Sequence, residues 1–171
     1  ELEPPPRLAL PDGVEPGGLP PADGDGGETA ARRSLERWLA GGDARYEEVR
    51  DDLAADATSR LSIPLHLGLL SPLEIAQRSR SDELVRQLAW RDFFAQLLAA
   101  NPRASNADLH PRRRGWCDDG DGLAAWKDGQ TGYPVVDAGM RELAATGFMH
   151  NRARMLVASF LTKDLNVDWR E

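Results

Sequence analysis

The stretch that decides the fold spans residues 125–169 and reads AWKDGQTGYPVVDAGMRELAATGFMHNRARMLVASFLTKDLNVDW. Its apolar residues recur at helical spacing, which predicts one helix over about 136–146 and a second over 150–165. Gly147 directly follows the first run, and a glycine in this place commonly ends a helix. The apolar side predicted for the second helix consists of Met155, Leu156, Phe160 and Leu161.

Further helices are predicted upstream of this stretch. From Thr29 onward apolar side chains recur at helical spacing until Gly41-Gly42, a pair that can stop a helix. Another helix is predicted from the capping box Ser71-Pro72-Leu73-Glu74, which has proline at the first helical position. A longer helix opens at Ser81 and runs to Asn101-Pro102. Because no clear alternating run of β-branched residues occurs, the predicted class is all-α.

Residues 1–27 differ in composition from the rest of the chain. They hold seven of the twelve prolines and six of the sixteen glycines, with few large apolar residues. Such a segment buries too little surface to offset its ordering entropy, so we predict a disordered interdomain linker. The helical domain is then predicted over residues 28–171, with a further domain preceding the linker.

The overall composition excludes several classes of function. Hydrophobic content of 41% and charged content of 29% are ordinary for a globular protein. Cys117 is the single cysteine, so no internal disulfide forms and a reducing cytoplasm is the expected compartment. One cysteine and three scattered histidines give no metal-ligand spacing, and there is no Gly-x-Ser-x-Gly elbow. We therefore expect no metal site, no serine hydrolase and, without a long apolar run, no membrane span.

The charge pattern leaves binding to nucleic acid open. A net charge of −7 argues against a protein that coats nucleic acid indiscriminately. The basic residues are clustered, however, at 112–114 and again at Arg152 and Arg154 beside His150. A local basic face on an acidic protein is enough to contact a phosphate backbone.

Two predicted helices each carry polar and large side chains on one side. Gln87 is followed three and four positions later by Trp90 and Arg91, and Asn151 is followed in the same way by Arg154 and Met155. Together these groups could line a polar cavity. They could equally be interfacial residues of ordinary helices, and the pattern alone favours that second interpretation.

A hydroxyl-rich segment and the tryptophans are also ambiguous. Residues 58–62 read TSRLS, a composition that could bind an anion such as a pyrophosphate. Such a pattern more often forms a solvated turn. Tryptophans usually pack in a core. Stacking on a nucleobase and passing electrons are the alternatives, and the pattern does not choose between them.

Taken together, these segments closely resemble the flavin-binding domain of photolyases and cryptochromes. The resemblance covers residue 26 to the end, and residues 125–169 carry most of it. Upstream, the segments GGETAARRSLERWL, RYEEVRDD, TSRLSIPLHLGLLSP and RQLAWRDFFAQLL follow one another in the family's order. The implied fold is the N-terminal half of the helical FAD-binding domain, most like that of a class I cyclobutane pyrimidine dimer photolyase.

The resemblance implies a role for each matching position around the cofactor. Residues 58–62 match the segment that wraps the flavin's phosphates, and Tyr46 matches a tyrosine that closes on it. Asn151 matches a residue near the reactive edge of the isoalloxazine ring. The implied cofactor contacts are Tyr46, Thr58, Ser59, Arg60, Leu61, Ser62, Gln87, Arg91, Phe148, Asn151 and Arg154. Two positions depart from the common pattern, since many relatives carry Glu where this chain has Gln87 and Trp where it has Phe148.

The resemblance also implies contacts with damaged DNA and a path for electrons. Trp90 matches the aromatic residue that stacks on a flipped-out pyrimidine dimer, and Arg50 and Arg152 match basic residues that hold the backbone. Trp169 and Trp116 match the middle and outer members of the family's electron-transfer chain. Gln87, Asn151, Trp116 and Trp169 are therefore the implied catalytic residues, while Trp38 and Trp126 are expected in the core.

The implied activity is light-driven repair of cyclobutane pyrimidine dimers. Reduced FAD absorbs blue or near-UV light and passes an electron to the dimer, which splits and returns the electron. The resemblance also implies that Met155 contacts the damaged DNA. Met155 favours this branch, because His150 to Met155 read HNRARM, whereas the (6-4) branch places histidines here. A photosensory cryptochrome is the alternative within the family, and an inactive helical scaffold is the alternative outside it.

Other expectations concern the complete protein. The resemblance implies further flavin-binding residues after Glu171 and an antenna chromophore of unknown identity in a preceding domain. We therefore expect these 171 residues to bind flavin weakly or not at all by themselves. The full-length protein is expected to be a cytoplasmic monomer.

Overall fold

In the computed structural model of the chain, residues 27–55, 57–110 and 115–171 are described. Over these ranges the secondary structure is helical and contains no strand, which confirms the predicted all-α class. Tight or wide helical turns occupy Trp38–Gly42, Asp43–Arg45, Pro102–Ser105 and Phe160–Asp164. The α-helices are α1 Gly27–Arg37, α2 Tyr46–Val49, α3 Ser62–His66, α4 Pro72–Arg78, α5 Asp82–Ala100, α6 Gly120–Lys127, α7 Pro134–Thr146 and α8 Asn151–Ser159.

The first hydrophobic core lies between α1, α3, α4 and the start of α5. Leu35 of α1 and Ile75 of α4 are completely buried, and the predicted core residue Trp38 is buried beside them. Burial of these apolar faces is the main source of helix stability here, because isolated short helices are marginal in water. The cluster consists of Ala31, Leu35, Trp38, Leu61, Leu65, Leu70, Ile75, Leu84 and Leu88.

A second core joins α7 to α8. Gly139 lies where the helices come closest, since a Cβ atom there would meet Val157 Cγ2 at 3.0 Å. Trp126 of α6 packs against this cluster and its indole N–H donates to the Val157 carbonyl over 3.1 Å, in agreement with its predicted core role. The buried members are Val136, Met140, Met149, Ala153, Val157 and Phe160.

Most of the predicted helix ends are present. Ser71 Oγ accepts from the Glu74 N–H over 3.4 Å, and Ser81 Oγ accepts from the Leu84 N–H over 3.2 Å. These bonds satisfy free donors at the beginnings of α4 and α5. Gly147 ends α7 in the left-handed conformation, with φ of 68°, which glycine adopts without steric cost.

Several details differ from the predictions. The pattern placed Met155 and Leu156 on the apolar side of α8, but both are exposed there, and Ala153 and Val157 face the core instead. Small and β-branched side chains fill that position because Gly139 brings α7 so close. The start of α7 lies at Pro134, two residues before the predicted start.

Three short helices, α2, α3 and α6, were not predicted at all. They have too few apolar residues to show a period, and α6 begins with two glycines in its first turn. In α6 the Asp119 carboxylate caps the helix by accepting from the Gly122 N–H over 2.9 Å.

The boundary of the predicted linker differs by one residue from the structure. Helix α1 begins at Gly27, the last residue assigned to the linker. Residues 1–26 lie outside the described ranges, so the linker stays a prediction.

A buried carboxylate ties the turn after α1 to the loop between α4 and α5. Asp43 is 1% exposed, and its two oxygens accept from Ser79 Oγ and from the Arg80 N–H, each over 2.6 Å. These bonds satisfy a buried charged group that would otherwise be costly. They also hold α2 and the beginning of α5 next to each other.

The loop before α7 depends on Asp137, and this leads to a prediction on pH. The carboxylate accepts from the Thr131 hydroxyl and from the Thr131 and Gly132 N–H groups over 2.6–3.0 Å, and the hydroxyl bond is the main cause that lowers the pKa of Asp137. A carboxyl group whose pKa is lowered by folding stabilises the fold at pH values above its unfolded pKa, about 4, and this stabilisation is lost as the pH falls.

The substitution Asp137→Asn is expected to reduce the free energy of unfolding at pH 7 and to have a much smaller effect at pH 3. Urea unfolding at the two pH values measures both effects. An equal loss of stability at pH 7 and pH 3 would contradict this prediction.

None of the helices in the described ranges has the length and apolar character of a membrane span.

Candidate functional site

Four separate segments of the chain meet at a cavity of about 160 Å³. They are α2 with the turn after it, the loop before α3, the first half of α5 and the beginning of α8. Six of the lining residues are ones that the sequence predicted, whereas Asp51 and His150 were not assigned a role. The residues that line this cavity are Tyr46, Arg50, Asp51, Thr58, Gln87, His150, Asn151 and Arg152.

Arg50 and Gln87 share one acceptor beneath the cavity. Gln87 Nε2 donates to Glu83 Oε1 over 2.7 Å, and the Arg50 guanidinium contacts the same oxygen. Arg86 contacts the other oxygen of this carboxylate, which is 6% exposed. The sequence interpretation missed Glu83, although a spacing of four residues from Gln87 on a predicted helix indicates a side-chain pair.

Asp51 and Arg152 form an ion pair at the cavity although they are 101 positions apart in the chain. The hydrogen bond from Arg152 lowers the pKa of Asp51, and the charge of Arg50 acts in the same direction. Both side chains are about half exposed, so the pair adds little to stability. Its effect is to hold a guanidinium at the mouth of the cavity.

Two buried polar atoms on residues of the cavity have no hydrogen-bond partner in the structure. They are Thr58 Oγ1 and His150 Nε2. His150 uses its other ring nitrogen to accept from the Arg152 N–H over 3.1 Å, which caps α8. Buried polar atoms nearly always have a partner in folded proteins. These two therefore indicate positions at which a bound polar molecule would complete a hydrogen bond.

The loop over residues 57–61 connects the cavity to Phe148. Arg60 has φ of 51°, in the left-handed region, and its guanidinium lies over the Phe148 ring at 4.3 Å from the centroid. Ser59 Oγ accepts from the Leu61 N–H over 3.4 Å, while the Leu61 side chain is buried in the first core. Only the backbone of Leu61 can therefore face a ligand. Ser62, also a predicted cofactor contact, is exposed at the beginning of α3.

Tyr46 forms one wall of the cavity. Its ring meets the Trp38 ring edge-on, with centroids 5.9 Å apart and planes at 81°. Burial raises the pKa of Tyr46, so the phenol keeps its proton throughout the neutral range. The hydroxyl is thus available both to donate and to accept a hydrogen bond.

Three other predicted site residues form hydrogen bonds or ion pairs with residues near them in the fold. Arg91 donates to the Leu65 carbonyl over 3.5 Å and pairs with Asp92. Arg154 Nε donates to the Met149 carbonyl over 2.9 Å. Met155 lies on the exposed side of α8, where its Sδ is 3.9 Å from Asn151 Nδ2. Arg91, Arg154 and Met155 do not line the cavity itself.

Trp90 belongs to an exposed aromatic cluster on α5. It stands three residues after Gln87, is 51% exposed and lies nearly parallel to the Phe94 ring, with centroids 5.8 Å apart. Phe93 meets Trp90 edge-on at 5.5 Å. An indole with half of its surface exposed is suited to stacking on a planar ring.

The two predicted electron-transfer tryptophans lie near a second cavity, of about 330 Å³. Trp116 lines it together with Asp168, the residue before Trp169. The Cys117 N–H donates to the Asn166 carbonyl over 2.8 Å, which brings the segment of Trp116 against the segment that leads to Trp169. The Trp169 indole N–H donates to Asp108 over 2.8 Å. The basic cluster 112–114 lies outside the described residues.

Part of the chain that builds these sites matches a known family. Residues 84–171, about half of the chain, match the model described as the FAD binding domain of DNA photolyase. The chain belongs to this family. The match includes α5 from Leu84 onward and all of α6 to α8, and thus Gln87, Trp90, Asn151 and Arg152, so the family resemblance seen in the sequence is confirmed.

Sequence and structural similarity to individual proteins also supports membership of the photolyase family. The chain is 52% identical to the deoxyribodipyrimidine photo-lyase of Streptomyces griseus, over 98% of this chain and 40% of that protein. A solved bacterial class III photolyase from Agrobacterium tumefaciens is 39% identical with a TM-score of 0.80, over 84% of this chain and 32% of that one. A solved Synechocystis cryptochrome is 40% identical with a TM-score of 0.79, over 85% of this chain and 34% of that one. The chain thus spans about a third to two fifths of the length of these relatives.

Proposed function

We propose that this chain forms one part of the light-driven repair site of a deoxyribodipyrimidine photolyase. The observation that carries the proposal is the convergence of Arg50, Gln87, Asn151 and Arg152 on one cavity. This arrangement combines hydrogen-bonding amides with guanidinium groups, which suits a lesion held together with its phosphates. Membership of the photolyase family supports the same activity.

The residues of the cavity are suited to holding part of FAD. The unpartnered Thr58 hydroxyl and His150 ring nitrogen are free to hydrogen-bond a polar ligand, and Ser59 and Arg60 follow Thr58 in the chain. A cavity of about 160 Å³ is small beside the ~300–1,000 Å³ of typical ligand pockets, so these residues supply only part of the wall. When bound and reduced, FAD would supply a photoexcitable electron donor.

The remaining roles belong to side chains outside or beside the cavity. Arg50 and Arg152 would hold DNA phosphates, and Trp90 would stack on the flipped-out dimer. Met155 would contact the lesion from α8. Trp116 and Trp169 would pass electrons toward the flavin. No general base is needed in this scheme, so the protein's task is to bind, orient and exclude water.

A photosensory cryptochrome is the second candidate function. The likeness to a solved cryptochrome, with a TM-score of 0.79, favours it to nearly the same degree as the likeness to a solved photolyase. The HNRARM sequence of residues 150–155 supports cyclobutane dimer repair instead. For the complete protein we further propose a cytoplasmic monomer with an antenna chromophore in another domain.

Light-dependent repair is the expected result that separates these candidates. The protein expressed from its complete gene should remove cyclobutane thymine dimers from an oligonucleotide under blue light after the flavin has been reduced. The measurement is chromatographic quantification of intact dimers, with the same mixture kept in the dark as the control. Flavin loading without any repair would favour the cryptochrome, and absence of flavin in the purified protein would contradict both candidates.

A further inference from the structure

Glu83 is a buried carboxylate that contacts two of the residues proposed to hold the lesion. It lies on α5, one helical turn before Gln87, and is 6% exposed. One of its oxygens accepts from both Arg50 and Gln87, and the other contacts Arg86. Glu83 itself does not line the cavity, whereas Arg50 and Gln87 do. A buried charge with three donors is well compensated.

This contact determines which end of the Gln87 amide faces the cavity. A carboxylate held by two guanidinium groups accepts hydrogen bonds, so the amide must turn its NH₂ group toward Glu83. Gln87 Nε2 lies 2.7 Å from Glu83 Oε1, and the carbonyl oxygen is therefore left for the cavity. Without Glu83, an amide can rotate and present either end.

We propose that Glu83 is a positioning residue, which fixes the amide of Gln87 with its carbonyl oxygen toward the cavity and holds Arg50 beside it. The inference rests on the proposed repair function, because a carbonyl oxygen that faces the cavity would accept from an N–H group of the damaged pyrimidine. It also gives a physical reason for glutamine at position 87. A glutamate there would place a second carboxyl group against the Glu83 carboxylate.

The test is a set of variants of the protein expressed from its complete gene, with affinity measured for dimer-containing and undamaged oligonucleotides. Glu83→Gln keeps the shape but removes the charge, and we expect about tenfold weaker binding of the lesion. Gln87→Glu should also weaken binding, because two carboxyl groups then meet. The swap E83Q/Q87E restores an amide–carboxylate hydrogen bond and should bind the lesion better than either single variant.

The control variant is Glu74→Gln, the same chemical change at a carboxylate that pairs with Arg32 and Arg78 on the surface. It should leave lesion affinity within about twofold of wild type. Neutron diffraction of the wild type locates the amide deuterons independently, should Glu83→Gln fail to fold. A Gln87 amide with its nitrogen toward the cavity would overturn the inference.

Three binding results distinguish failure of the inference from failure of the proposed function. If the wild type prefers damaged DNA and Glu83→Gln binds it equally well, Glu83 has no positioning role while the repair function stands. The same holds if the swap is no better than the single variants. If the wild type does not distinguish damaged from undamaged DNA, the proposed function fails and the inference fails with it.

Discussion

Replacing Trp90 with alanine is expected to weaken binding of dimer-containing DNA about 5- to 150-fold, because base–aromatic stacking contributes roughly 1–3 kcal/mol. The side chain is half exposed, so little of its surface belongs to a core that the substitution would disrupt. Phe94 lies nearly parallel to the indole at 5.8 Å and supports one side of it. The exposed half of the indole surface is where a flipped-out base would stack. Undamaged duplex, which offers no flipped base, should bind with nearly unchanged affinity.

The measurement is a titration of fluorescent oligonucleotides with and without a single thymine dimer. Trp90→Phe should keep much of the affinity, since an aromatic face remains. Leu98→Ala is the matched control, because it removes another exposed apolar side chain farther along α5. Equal affinity of wild type and Trp90→Ala for the lesion would remove the stacking role from Trp90.

Leu35→Ala should cause the largest loss of stability, about 2–5 kcal/mol in the free energy of unfolding. Leu35 is completely buried at the centre of the first core, where α1 meets α4. Truncation removes favourable burial and leaves a cavity between helices that cannot fully collapse. Since the same core holds the start of α5, retention of flavin should fall together with stability.

Urea unfolding of the helical domain, followed by circular dichroism, measures this effect. Leu73→Ala is the control, because this leucine of α4 is 65% exposed and its loss should change stability by no more than about 0.5 kcal/mol. A loss below about 1 kcal/mol for Leu35→Ala would show that the first core does not depend on α1 as the packing indicates.

Much of the helical fold was predictable from local patterns. The Ser71 and Ser81 caps, the proline that begins α4 and the glycine that ends α7 each act within one turn of their own helix. Prediction was less successful for the side of a helix that faces the core, because tertiary packing determines it. Met155 and Leu156 fit a helical period, yet the close approach of α7 at Gly139 turns Ala153 and Val157 inward instead.

The candidate site was predictable only in part. Family motifs pointed to Gln87, Asn151 and Arg152, and the structure brings these residues to one cavity. They gave no reason to single out Glu83, because a glutamate in the first turn of a helix is usually a solvated residue that favours the helix dipole. Its burial beneath Arg50 and Gln87 depends on how α2 packs on α5.

The sequence by itself determined the helical class, the main helix boundaries and the family, because capping, periodicity and motif order are all recorded locally along the chain. The tertiary structure alone decided which polar groups meet. Asp51 pairs with Arg152 across 101 positions, and Thr58 and His150 come to one cavity with their polar atoms unpartnered. Such contacts arise when helices distant in sequence pack their apolar faces together, and that packing fixes the polar residues beside those faces.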